Sequence, residues 1–166
     1  MNRLPTEDEE SWFWSLIEFA WERTGAAESA KRSALIGRAG DDVAYGIDLD
    51  AFLFNLRELC EDMSAAELTD LDRVLERKLY DLDRADIQQV TDGGDDGFLY
   101  CRGFIVAMGR EFHDAVVADP AVAVLDAECE EMCYFFAHLH DKYFGGFTDT
   151  ESGISRGTTS NKAGWR

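Results

Sequence analysis

Proline is nearly absent, with two residues in 166. Proline ends helices and marks turns, so its scarcity favours a helical fold over a loop-rich one. Positive charge is scarce too. Sixteen Lys and Arg stand against 34 Asp and Glu, a net charge of −18. A surface of that sign repels phosphates, so ordinary DNA or RNA binding is not expected. It suits a basic protein partner or a divalent cation, or simply keeps the chain in solution. No run approaches the length of apolar residues that a membrane span needs, so none is expected. The start, MNRLPTEDEE, is acidic where a secretory signal is basic and then apolar. The expected compartment is therefore the cytoplasm.

Recognisable chemistry is also missing. The chain shows no phosphate-binding loop, no dinucleotide fingerprint and no nucleophile motif. We accordingly assign no catalytic residue, no cofactor and no metal from the sequence. Four cysteines in a reducing compartment read as buried thiols rather than disulfides. Cys129 and Cys133 sit one helical turn apart, with His138 and His140 nearby. A zinc site is conceivable there, but this spacing on a helix is a weak signal, and cysteine is common in cores.

What the chain does have is helical periodicity. Thr6 with Glu9 forms a capping box that opens a helix to about Thr24, stopped by Gly25. Phe13, Trp14, Leu16, Ile17, Ala20 and Trp21 make its apolar face. The tryptophans either anchor it to the core, the favoured reading, or line a binding groove. A weaker helix is expected over 28–39, a loop over GDDVAYGID, and an amphipathic helix from Leu49 to Met63. Ser64 with Glu67 is a second capping box, opening a long helix to about Val90. That helix carries Leu68, Leu71, Leu75, Leu79 and Leu82. Its other side, Asp70, Asp72, Arg73, Glu76 and Arg77, reads as a solvated face. A further apolar stripe runs through Phe98, Cys101, Ile105, Met108, Phe112 and Val116, and Asp119-Pro120 stops it. A last helix is expected over 126–144, with Met132, Cys133, Phe136, Leu139 and Phe144 inward. No β pattern or internal repeat stands out. The expectation is an all-α, single-domain bundle of about six helices over 1–146, followed by a flexible Gly/Ser/Thr-rich tail over 147–166.

The stretch GGDDGFLYCRGFIVAMGREF, residues 93–112, admits two readings. In one, Asp95 or Asp96 caps a helix beginning near Phe98, where a carboxylate suits the positive end of the dipole, and glycines 93 and 94 supply the turn. Arg102, at nearly the same wheel angle as Asp95, then needs an acidic partner. In the other, Asp95, Asp96 and Arg102 form a polar cluster at a helix mouth, whose two carboxylates could hold a metal ion or one of which could act as a general base. The structural reading is the stronger of the two.

Several of these residues recur as motifs. Phe13-Trp14-Ser15-Leu16-Ile17-Glu18, Asp95-Asp96-Gly97-Phe98, Arg102-Gly103, Gly109-Arg110 and Asp119-Pro120 occur in that order. In this the chain resembles DUF4240, a bacterial family of domains of unknown function, over about residues 11–145. Gly94 stands where serine is usual there, Cys101 where an aromatic is usual, and Phe104 where tryptophan is usual. The resemblance implies a bacterial cytoplasmic setting and supplies no activity.

Three functional expectations follow. The first is an interaction or regulatory module, the immunity type included, that meets a basic partner. The alternative is an enzyme or small-ligand-binding domain around Asp95, Asp96 and Arg102, with a polar pocket where that helix mouth meets Trp14 and its helix. The weakest, resting on charge alone, is nucleic-acid mimicry.

Overall fold

A computed structural model describes residues 2–37 and 41–166, with only the backbone of Asp41. The described residues are all-helical: nine α-helices and three short 3-10 segments in one body, with no strand. The class is as the periodicity implies, and the helices outnumber the expected six because several are broken.

α1 spans Glu7–Thr24 and has the full capping box, Thr6 Oγ1 accepting from the Glu9 amide and Glu9 from the Thr6 amide. α2 covers Ala26–Ile36; its expected end near residue 39 and the following Gly40 lie outside the described residues. Where a loop was expected, Asp41–Tyr45 makes the short helix α3. α4 is Leu49–Leu59, shorter than its periodicity suggested, and is capped by Asp48. α5, Ala65–Asp81, has its box at Ser64 and Glu67. It does not continue to Val90. The chain turns at Leu82–Arg84 and resumes as α6, Ala85–Thr91.

The apolar stripe of residues 98–116 is likewise split. α7 spans Asp95–Ala107 and α8 Arg110–Ala118. Gly109 between them has φ +100°, a backbone that L side chains rarely adopt. The orphaned carbonyls at this break are taken from outside: Trp21 Nε1 donates to Ala107 O at 2.8 Å and Arg32 to Met108 O at 2.9 Å. Asp119 accepts from the Ala121 amide and Pro120 opens a 3-10 turn, so that stop has its expected chemistry. The last helix, α9, is only Phe135–Phe144, preceded by a 3-10 turn at 130–132. Asp126, with φ +54°, interrupts the segment expected to be its start. Phe144 is half exposed rather than inward.

The core is one cluster in which α1 packs on α4 and α5, and α5 on α7 and α9. Trp21 stacks on Phe52 with ring centres 4.3 Å apart, and Phe13 meets Phe136 edge-on. Gly103 lets α7 touch the 3-10 turn, for a Cβ there would lie 2.5 Å from the Cys129 carbonyl. The expectation for α1 holds for Trp14 and Trp21, both buried.

Residues 147–166 differ from the expected flexible tail. Thr150, Ser152 and Arg156 are buried against α5 and α7. The reason is on α5. Asp72, Arg73 and Glu76, read as solvated, are buried, and this segment supplies polar partners for them. Residues 147–166 thus pack on the helices that precede them.

Candidate functional site

The four residues singled out in the sequence do not come together. Asp95 and Asp96 are exposed and lie in the first turn of α7, with Gly94 as its N-cap. Neither side chain caps the helix. They sit where the dipole favours negative charge, which corrects the capping assignment while keeping its electrostatic reason. The turn before them depends on Asp92, which takes the left-handed conformation with φ 56°. Gly93 is there for space: a Cβ would stand 2.5 Å from the Phe98 amide nitrogen.

Arg102 is wholly buried. Its guanidinium donates to Leu79 O and Arg156 O, both at 3.0 Å, and to Thr158 Oγ1 at 3.3 Å, and it lies over the Phe98 ring. Thr158 in turn donates to the Asp95 carbonyl, so it stands between Arg102 and the twin acids. Among the described residues no carboxylate forms an ion pair with Arg102, contrary to expectation. Burial pushes its pKa below the usual range, and Asp83 opposes this from a distance. Carbonyl oxygens and one ring take the role expected of an acid. These contacts hold the Arg102 guanidinium in the buried interior.

Trp14 belongs to a different region. It is buried against His113, with ring centres 5.3 Å apart, and edges a hollow of about 390 Å³ with Ser11, Ser15, Glu18, Phe19 and Arg110. A second hollow of about 490 Å³ lies beside it between α1, α2 and α8 and shares Glu18 and Arg110. Ligand pockets commonly have this volume. Behind it Arg32 grips Glu18 with both terminal nitrogens at 2.9 Å and stacks on Trp21. Gly109 makes room for the pair, since a Cβ would come within 2.5 Å of Glu18 Oε1. Glu111 and Asp114 stand on the rim.

Two motifs far apart in sequence thus meet here: Trp14 and Glu18 from α1, and Gly109-Arg110 from the break before α8. Asp95, Asp96 and Arg102 line neither hollow. Arg32, Glu111 and Asp114 were not singled out in the sequence. The only available signal was the position of Glu111 and Asp114 directly after Gly109-Arg110.

His113 and Asp114 make a further polar pair, Nδ1 to Oδ1 at 3.0 Å. The imidazole is buried, its Nε2 has no hydrogen-bond partner, and burial lowers its pKa from the ordinary value, with the Asp114 bond opposing. It lines neither hollow. The cysteines are core groups: burial pushes the thiols of Cys129 and Cys133 up to about 12. Cys133 Sγ donates to Leu99 O, His138 packs on Phe147, and His140 bonds the Gly146 carbonyl. Among the described residues no group of three or more His, Cys, Asp or Glu is placed to hold a metal ion. No described helix is long and apolar enough to cross a membrane.

Fold and site define an all-α domain with buried arginines matched by buried carboxylates and with an open face on which two motifs meet. The chain matches the family model described as protein of unknown function (DUF4240) over residues 9–142, and it belongs to that family. No curated protein and no solved structure matches it.

Proposed function

We propose that this protein is an interaction module that meets a basic protein partner through its acidic exterior, at the face formed by α1, α2 and α8. One observation carries the reading. Among the described residues the buried arginines, Arg73, Arg102 and Arg156, are matched in number by the buried carboxylates Asp72, Glu76 and Asp83. The interior is therefore neutral, and the net charge of −18 stands on the outside. Such a field speeds association with a cationic surface and disfavours anionic ones. The shared Glu18–Arg110 wall gives that field a shaped place to act, and Phe19, half exposed beside it, offers an apolar contact.

The reading is tested by capturing partners from host lysate with the tagged full chain at low and high salt. The expected result is an identifiable basic protein, retained at low salt, that also binds when purified. Its binding should weaken in Glu111→Lys and Asp114→Lys and persist in Glu58→Lys and Glu61→Lys, which lie outside the two hollows. A partner that ignores both salt and the rim substitutions would overturn it.

A further inference from the structure

The charged groups under residues 147–166 obtain most of their hydrogen bonds from that segment. Thr148 donates to Asp72; Thr150 and Ser152, the next alternate residues, donate to Glu76. Arg156 reaches both acids, Asp72 at 2.7 Å and Glu76 at 3.3 Å, and donates to Cys133 O. Arg73 Nε donates to Thr150 O. Asp83, fully buried, accepts from the Thr159 amide at 3.0 Å, the Asn161 amide at 2.8 Å and Trp165 Nε1 at 2.8 Å. Arg102 takes two of its acceptors from Arg156 and Thr158. The pattern is that of a receptor reading a peptide: hydroxyls at alternate positions, one arginine between two carboxylates, and one carboxylate collecting backbone amides.

The segment is held by polar groups and adds little apolar burial. Only Trp165 of these residues packs against the core cluster, edge-on to Phe98, while Phe147 is half exposed. If the segment lifts, it uncovers three carboxylates and two guanidiniums, which water can satisfy, together with the Phe98 ring under Trp165. Opening is cheapest where few apolar contacts are lost. The segment leaves α9 through Gly145 and Gly146, both exposed, with φ +77° and +74°. It also lies outside the family match, which ends at residue 142, whereas the groove beneath it lies within.

We infer that α5, the turn at Leu82–Arg84 and α7 form a peptide-binding groove, and that residues 147–166 occupy it in cis as an exchangeable ligand. The recognised chemistry is a hydroxyl-rich segment with an arginine four residues after the second of the two hydroxyls on Glu76, here Ser152 and Arg156. The same segment of a second copy meets that requirement, so exchange between copies follows from this geometry.

A protease site placed between Gly146 and Phe147 of the full chain tests this. After cleavage the fragment should remain bound and exchange with an isotope-labelled synthetic peptide of residues 147–166 under native conditions. A peptide carrying Arg156→Ala should compete roughly tenfold less well or worse, having lost charge-assisted bonds to two acids. In the uncut chain, hydrogen exchange at the Thr159 and Asn161 amides should proceed through an opening that leaves α1 and α5 protected. A fragment released only on global unfolding, a cut chain that loses its helices, or an Arg156→Ala peptide that competes equally would each show the segment to be a permanent part of the core and overturn the inference.

Discussion

Two arginine-centred clusters in this molecule use the same pair chemistry and reach opposite states. On the α1–α2–α8 face, Arg32 grips Glu18 in front of Trp21, and the pair fronts open space. On the α5–α7 side, Arg156 lies between Asp72 and Glu76 beneath its own segment, and the acids are sealed. Both arginines lie over a ring, and the difference lies in which one: Trp21 is wholly buried, whereas Tyr134 under Arg156 is partly exposed. Arg32 stands on an indole within the hydrophobic core, so its surroundings cannot be emptied without exposing apolar surface. The groove floor is charged, so water can replace its occupant. An ion pair therefore says little about permanence until the surface beneath it is known.

The sharpest way to break the comparison is Trp21→Ala, which removes the indole under Arg32, the stack on Phe52 and the bond to Ala107 O. A loss of about 3–5 kcal/mol of global stability is expected in denaturant unfolding followed by circular dichroism. Arg156→Ala should cost less, about 1–3 kcal/mol in the same measurement, because Asp72 and Glu76 can hydrate when the segment lifts. A loss as large as that of Trp21→Ala would erase the distinction between the two sides. Gly109→Ala sharpens the open side. It forces a residue with a Cβ to φ +100° and against Glu18, so about 1–3 kcal/mol should be lost and the Glu18–Arg32 pair displaced, which structure determination would reveal.

Smaller effects probe the elements that position both sides. Ser64→Ala, which strips the cap from α5 beneath the groove, should cost about 1 kcal/mol, and Thr6→Ala on α1 should cost much the same. The smallest effect is a slope with pH. His113, faced by Lys78, Asp81 and Asp114, has its pKa lowered mainly by burial. The unfolded chain therefore takes up this proton at higher pH than the folded one. The stability His113 contributes is complete above the ordinary histidine range and is lost as pH falls through it toward the lowered folded value. His113→Phe should flatten that part of the stability curve, as unfolding midpoints across mildly acidic pH would record.

The sequence was most legible where a local signal decides the outcome. Both capping boxes, the Gly25 stop and the Asp119-Pro120 stop depend on residues within one turn of each other. The stripe of residues 98–116 was legible as apolar yet misleading as one helix. α7 ends before Gly109 because Trp21 and Arg32, far away in sequence, donate to the orphaned carbonyls of Ala107 and Met108. The candidate site was half legible: Trp14, Glu18 and Gly109-Arg110 stood out as motifs, but nothing local shows that they share a wall. Asp95, Asp96 and Arg102 looked like a cluster because they are close in sequence, and Thr158 separates them in space. Asp72 and Glu76 carried a weak sign, following Leu68 at steps of four beside the leucine stripe.

By itself the sequence determined the helical class, the capped starts of α1 and α5 and the excess of negative charge, because periodicity, capping and charge act over a few residues or simply add. Only the tertiary structure decided which charges are buried, where the long stripes break, and that residues 147–166 lie in a groove. Those outcomes depend on partners 70 or more residues away, such as Thr150 on Glu76 and Trp21 on Ala107. A buried charge or an orphaned carbonyl is tolerable only where such a partner arrives, and no local pattern records its arrival.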